Sequence, residues 1–94
     1  MRINLNNSLA QIKGNKLTVI ADIKVVSSSY GAIQFWGDTN LGSVQIPSSN
    51  DFIESTLSLQ IPSESGQLEV RFYLNNAASN NDKLFVKNIR IFIQ

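Results

Sequence analysis

Asp82-Lys83-Leu84-Phe85-Val86-Lys87-Asn88-Ile89-Arg90-Ile91-Phe92-Ile93 is the stretch that says most about the fold. It reads as a long strand with one fault in its alternation. Leu84 and Val86 share one phase, whereas Ile89, Ile91 and Ile93 share the other. Side chains of a strand alternate with period 2, so a change of phase at Lys87-Asn88 requires one extra residue, a β-bulge. The inward phase is expected to pass from Val86 to Ile89. Such a strand suits a β-sandwich that ends with its last strand in a sheet.

Further strands are legible upstream. Arg2-Ile3-Asn4-Leu5 is a short candidate. Residues 17–26 alternate, with Leu17, Val19, Ala21, Ile23 and Val25 on one side and Thr18, Asp22 and Lys24 on the other. Residues 32–36, 43–46, 55–61 and 67–74 follow, separated by Gly, Asn, Ser and Pro turns. Residues 75–82 read as a polar loop. No amphipathic helix is found; Ser8 to Ile12 has room for one short turn. Ser43-Val44-Gln45-Ile46-Pro47 echoes Ser58-Leu59-Gln60-Ile61-Pro62, two strands each ended by proline, which cannot donate to a ladder. The pattern predicts an all-β, antiparallel sandwich with its first and last strands paired or close. The expected core is Leu17, Val19, Ile23, Phe35, Leu57, Leu59, Val70, Phe72, Val86, Ile89 and Ile91.

Composition bounds the function. Ninety-four residues are read as one domain, and such a chain buries roughly 65% of its unfolded surface. Charged residues are 16%, the net charge is +1, and the eight Lys and Arg are scattered. A nucleic-acid partner is therefore not expected. The chain has no Cys and no His. That excludes disulfides and thiolate zinc sites and removes the usual general base. The apolar runs are too short to span a bilayer, so no membrane insertion is expected. Residues 1–20 show no signal-peptide pattern. If the protein is exported, this chain is a mature piece, an excised domain, or part of an assembly released by another route.

Several segments together resemble jelly-roll carbohydrate-binding modules of the galactose-binding-like type. Leu17-Thr18-Val19-Ile20-Ala21-Asp22-Ile23-Lys24-Val25 is similar to an early strand of that fold. Ser55-Thr56-Leu57-Ser58-Leu59-Gln60-Ile61 is similar to a middle strand, and Leu68-Glu69-Val70-Arg71-Phe72-Tyr73-Leu74 to the strand before last. Leu84-Phe85-Val86-Lys87-Asn88-Ile89-Arg90-Ile91 resembles the closing strand. The resemblance covers the chain from about residue 16 onward through loose hydrophobic patterns. It departs where the family's first Asp is Lys87 and only Asn88 fits, which weakens any carboxylate role there, including help in holding calcium. It implies a jelly-roll sandwich and a non-catalytic, sugar-binding domain.

The residues supply candidates for that chemistry. Aromatic rings stack on the apolar face of a pyranose, and planar polar side chains address its hydroxyls. If Ile33 and Phe35 face the core, Gln34 and Trp36 share the outer face; Arg71 and Tyr73 do so by the same count. Gln45, Ser58 and Gln60 also point outward. The candidate carbohydrate site is Trp36 as platform, with Gln34, Arg71, Tyr73, Asn75 and Tyr30 around it. Trp36 as a core or rim residue, and Tyr30 as a loop anchor, are the competing readings. No enzyme is expected, because the acids form no recognisable motif and the serines have no His to activate them. Asp22 and Glu69, on outward faces of different strands, are a conceivable pair. No cofactor is expected. A metal site here would be a structural calcium, since the ligands are hard oxygens, at Asp38-Thr39-Asn40 or Asn80-Asn81-Asp82, with local Asx turns the favoured reading.

An alternative function comes from another class. The domain could be a structural or adhesive part of a larger assembly, such as a phage tail, baseplate or capsid-decoration protein. Its partners would then be other proteins or copies of itself, with Trp36 at an interface. Both readings place the protein outside the cell, at a cell surface or on a virion surface.

Overall fold

A computed structural model describes residues 1–27, 29–75 and 81–94. Among the described residues, seven strands form two antiparallel sheets. β1 (Arg2–Asn4), β3 (Gly31–Trp36), β4 (Asn40–Ile46) and β6 (Glu69–Leu74) make the four-stranded sheet, in the order β1-β6-β3-β4. β2 (Lys16–Val26), β5 (Ile53–Gln60) and β7 (Lys83–Ile93) make the three-stranded sheet, in the order β5-β2-β7. A 3-10 turn (Asn6–Ser8) and the short helix α1 (Leu9–Ile12) lead from β1 to β2.

The period-2 pattern produces this sandwich-like arrangement. Along β2, Leu17, Val19, Ala21, Ile23 and Val25 are all fully buried. They meet Ile33 and Phe35 of β3 and Val70 and Phe72 of β6 in one core between the sheets. Each of these side chains apart from Ala21 contributes about 1.5–3 kcal/mol by leaving water. Ile46 and Ile61, each followed by proline, are also buried. Ile12 on α1 is buried as well, although residues 8–12 show no helical stripe.

The bulge lies where the phase changes. Opposite β2 the register of β7 shifts between Ile20, paired with Arg90, and Asp22, paired with Lys87. Ala21 therefore faces the two residues Asn88 and Ile89. Asn88 has φ 54°, and its Nδ2 donates to Asp22 Oδ2 at 2.8 Å. Val86 and Ile89 both pack against the core.

Two expectations are corrected. Of the expectation that the first and last strands are paired or close, the pairing fails: β1 joins β6 in one sheet, and β7 joins β2 in the other. Ile91 is not core; it is 37% exposed, although its phase points inward. β7 is an edge strand, so its inward side chains are covered from one flank only. Leu59, Val86 and Ile89 are partly buried for related reasons of position.

A second bulge was not legible in the sequence. Phe35 pairs with Gly42, but Trp36 pairs with Asn40, leaving Leu41 as the extra residue. Gly42 has φ 153°, and a Cβ there would lie 2.6 Å from Leu59 Cδ1. Only glycine fits both the backbone and that approach. The strand therefore starts at Asn40 rather than Ser43.

Candidate functional site

The outer face of the four-stranded sheet is built by parity. On β3, Ile33 and Phe35 are buried while Gln34 and Trp36 face out. On β6, Val70 and Phe72 are buried while Glu69, Arg71 and Tyr73 face out. Register sets these into rows: Trp36 beside Glu69, Gln34 beside Arg71, and Ala32 beside Tyr73. Arg2 of β1 lies on the far side of Arg71. β3 and β6 are both paired on two flanks, so the backbone under the rows is held by ladders on both sides.

Trp36 is half-buried on this outer face and is not a core residue. The Arg71 guanidinium sits over its ring, 4.4 Å from the centroid. Arg71 Nε is in turn ion-paired with Glu69. Cation–π contacts at exposed sites are worth about 0.5–1 kcal/mol, and surface ion pairs about 0–1 kcal/mol. This triad holds Arg71 without locking it. One Trp36 face is thus already occupied, so a sugar would meet the ring only with Arg71 displaced or bridging. Of the five guanidinium N–H donors, Nε–H goes to Glu69. The two terminal amino groups have no protein acceptor among the described residues.

Gln34, Arg71 and Tyr73 line a hollow of about 330 Å³, together with Met1, Arg2 and Phe72. The Gln34 amide and the Arg2 guanidinium also have no hydrogen-bond partner among the described residues. Trp36 adjoins this hollow through Arg71 and does not line it. Tyr30 and Asn75 lie one row beyond Ala32 and Tyr73, joined by the Asn75 N–H to the Tyr30 carbonyl at 2.9 Å. Three of the six predicted residues therefore share the hollow; Trp36 adjoins it through Arg71, and Tyr30 and Asn75 lie just past the ends of β3 and β6. Arg2 was missed. Its own alternation with Ile3 was readable, but nothing in the sequence says that β1 pairs with β6.

Other candidates separate. Asp22 faces out from the three-stranded sheet and Glu69 from the four-stranded one, so they lie on opposite sides and form no pair. Asp22 instead accepts from Asn88 and lies 3.5 Å from Arg90. Gln45 shares the sheet of Trp36, whereas Ser58 and Gln60 are on the opposite side, bonded to Thr18 and to the Gly14 carbonyl. Asn40 Oδ1 accepts from the Gly42 N–H at 3.0 Å, an Asx turn, and Asp38 Oδ2 accepts from the Gly66 N–H at 3.2 Å. Asn80 lies outside the described residues, as do Ser28 and the rest of residues 76–80. Among the described residues no three acidic, His or Cys side chains gather to hold a metal, and no helix is long and apolar enough to cross a membrane.

No protein-family model matches the chain, and neither the curated proteins nor the solved structures include a match to it.

Proposed function

We propose that the outer face of the four-stranded sheet is a non-catalytic carbohydrate site. The observation that carries this reading is the convergence of unpaired planar donors, from Gln34, Arg71 and Arg2, on one hollow beside Tyr73 and Trp36. Sugar hydroxyls need such donors, and an aromatic edge covers the apolar side of the ring. Glu69 offsets the charge of Arg71, while Arg2 is paired with no acid among the described residues. The hollow therefore favours a sugar that carries a carboxylate over a neutral one. The chain's repeated crossing between sheets also supports the jelly-roll, galactose-binding-like form of the sandwich.

A shallow open site gains little, because hydroxyls are well hydrated before binding. Affinity per site should be near ~1 mM, about 4 kcal/mol. Screening the 94-residue chain on a glycan array with neutral and uronic sugars, then titrating hits against Arg71→Ala and Gln34→Ala, tests the reading. Both substitutions should lower binding at unchanged fold. Sugar binding that survives both would remove this face as the site. The alternative, a structural domain of a larger assembly, is favoured by a different feature, the apolar edge of β7.

A further inference from the structure

β7 is eleven residues long and lies at the free edge of its sheet. Its two halves differ. In the first, Lys24 lies 5.5 Å from the Phe85 ring centroid and Lys87 lies 4.1 Å from that of Phe52. Lys83 and Lys87 themselves stand on this half, and the bulge at Asn88 ends it. Charges and bulges are the devices that keep edge strands from pairing. The second half, residues 89–93, carries Arg90 alone. Ile91, Phe92 and Ile93 are 37%, 48% and 44% exposed. No cation of the described residues lies over Phe92.

The backbone of this half has a definite polarity. Lys16 and Gln94 exchange both N–H···O=C bonds, each 3.0 Å. Bonded and non-bonded pairs alternate along an antiparallel ladder. Thr18 with Phe92 and Ile20 with Arg90 are therefore bonded pairs, and Leu17 with Ile93 and Val19 with Ile91 are not. The N–H and C=O of Ile91 and Ile93 thus point away from β2, toward the open edge.

We infer that residues 89–93 are a self-pairing edge, on which two copies of this chain join antiparallel about Ile91 into one continuous six-stranded sheet. In this register Ile91 faces Ile91 of the second copy as a bonded pair, using the N–H and C=O that point outward. Ile89 faces Ile93 of the second copy on the inward side, which covers the exposed isoleucines. Arg90 faces Phe92 of the second copy as a non-bonded pair, the arrangement in which side chains approach closest. Phe92 then gains the cation that Phe52 and Phe85 already have. Centring the pair on Arg90 would instead set two guanidinium groups opposite each other. An unrelated partner is not needed, because the edge complements itself. This inference does not rest on the carbohydrate reading, which concerns the other sheet.

Sedimentation velocity from ~10 µM to ~1 mM should show a reversible monomer–dimer equilibrium. Ile91→Pro removes an N–H that faces the open edge, a position where strands tolerate proline. It should be monomeric throughout with an unchanged circular dichroism spectrum. Because the chain has no Cys, Ile91→Cys should form an intermolecular disulfide under mild oxidation, the Cα separation of about 5.5 Å in a bonded pair being suitable. Ser43→Cys, on the other sheet, should not. A wild-type chain that stays monomeric, an assembly that grows past the dimer, or a dimer that persists in Ile91→Pro would overturn the inference. Should Ile91→Pro unfold, the cysteine pair decides: cross-linking of Ser43→Cys but not of Ile91→Cys counts against it.

Discussion

Asn88 is the only non-glycine residue with a positive φ among the described residues. Asparagine tolerates this left-handed conformation, which costs other side chains about 1–2 kcal/mol. Its amide also reaches Asp22 at 2.8 Å, a bond worth about 0.5–1.5 kcal/mol. Asn88→Ala loses both and should destabilise by about 2 kcal/mol. Asn88→Gly loses only the bond and should lie between alanine and wild type in urea denaturation. Equal stability of the two variants would mean that the backbone conformation at the bulge is unimportant. Trp36 poses the opposite question. It is half-buried and stacked by Arg71, so Trp36→Ala should cost about 2 kcal/mol, less than the 3–5 kcal/mol of a core tryptophan. Loss of sugar binding at that modest cost would fit a residue bordering the site, whereas global unfolding would make it structural.

At the scale of elements, the strands with unbroken alternation were legible and the irregular ones were not. Leu17 through Val25 on β2 could be read face by face, because a central strand buries every inward side chain. Ile91 on β7 follows the same alternation and is exposed, since periodicity gives direction but not the neighbour that covers it. The bulge at Asn88 left a trace, a reversed apolar phase. The bulge at Leu41 left none, because Leu41-Gly42-Ser43-Val44 has too few apolar residues to show a shift. Gly42 is the residue that makes that bulge workable. Gly42→Ala would press a Cβ to within 2.6 Å of Leu59 Cδ1 on the opposite sheet. That atom is the movable end of a partly buried side chain, so the φ of 153°, which strains any Cβ whatever the space, carries most of a cost of about 1–3 kcal/mol. Thermal denaturation should show a lower Tm for Gly42→Ala, and Leu59→Ala in the same chain should recover part of it, since the two sites share one contact.

At the scale of the whole molecule, the sequence located the outward residues but not their sheets. Trp36, Gln34, Arg71 and Tyr73 were placed together because β3 and β6 alternate cleanly. Parity alone makes Asp22 and Glu69 a conceivable pair; strand order, which parity does not contain, puts them on opposite faces. The same order sets the hollow on one sheet and the self-pairing edge on the other, with the core between them. The two surfaces share no residue. Arg71→Ala should leave the dimer unchanged, and Ile91→Pro should leave the affinity for a monovalent sugar unchanged, as expected for well-separated sites. A multivalent ligand should tell the two forms apart. A dimer carries two hollows, and a second binding event within one complex can raise avidity by ~10²–10⁴ without any new contact. The wild-type chain should therefore hold a densely glycosylated surface more tightly than Ile91→Pro does, while both bind the free sugar equally. Surface plasmon resonance on sparse and dense sugar layers measures this directly. A wild-type advantage that persists on the sparse layer would mean that the edge touches the sugar itself, and the separation of the two surfaces argued from strand order would fail.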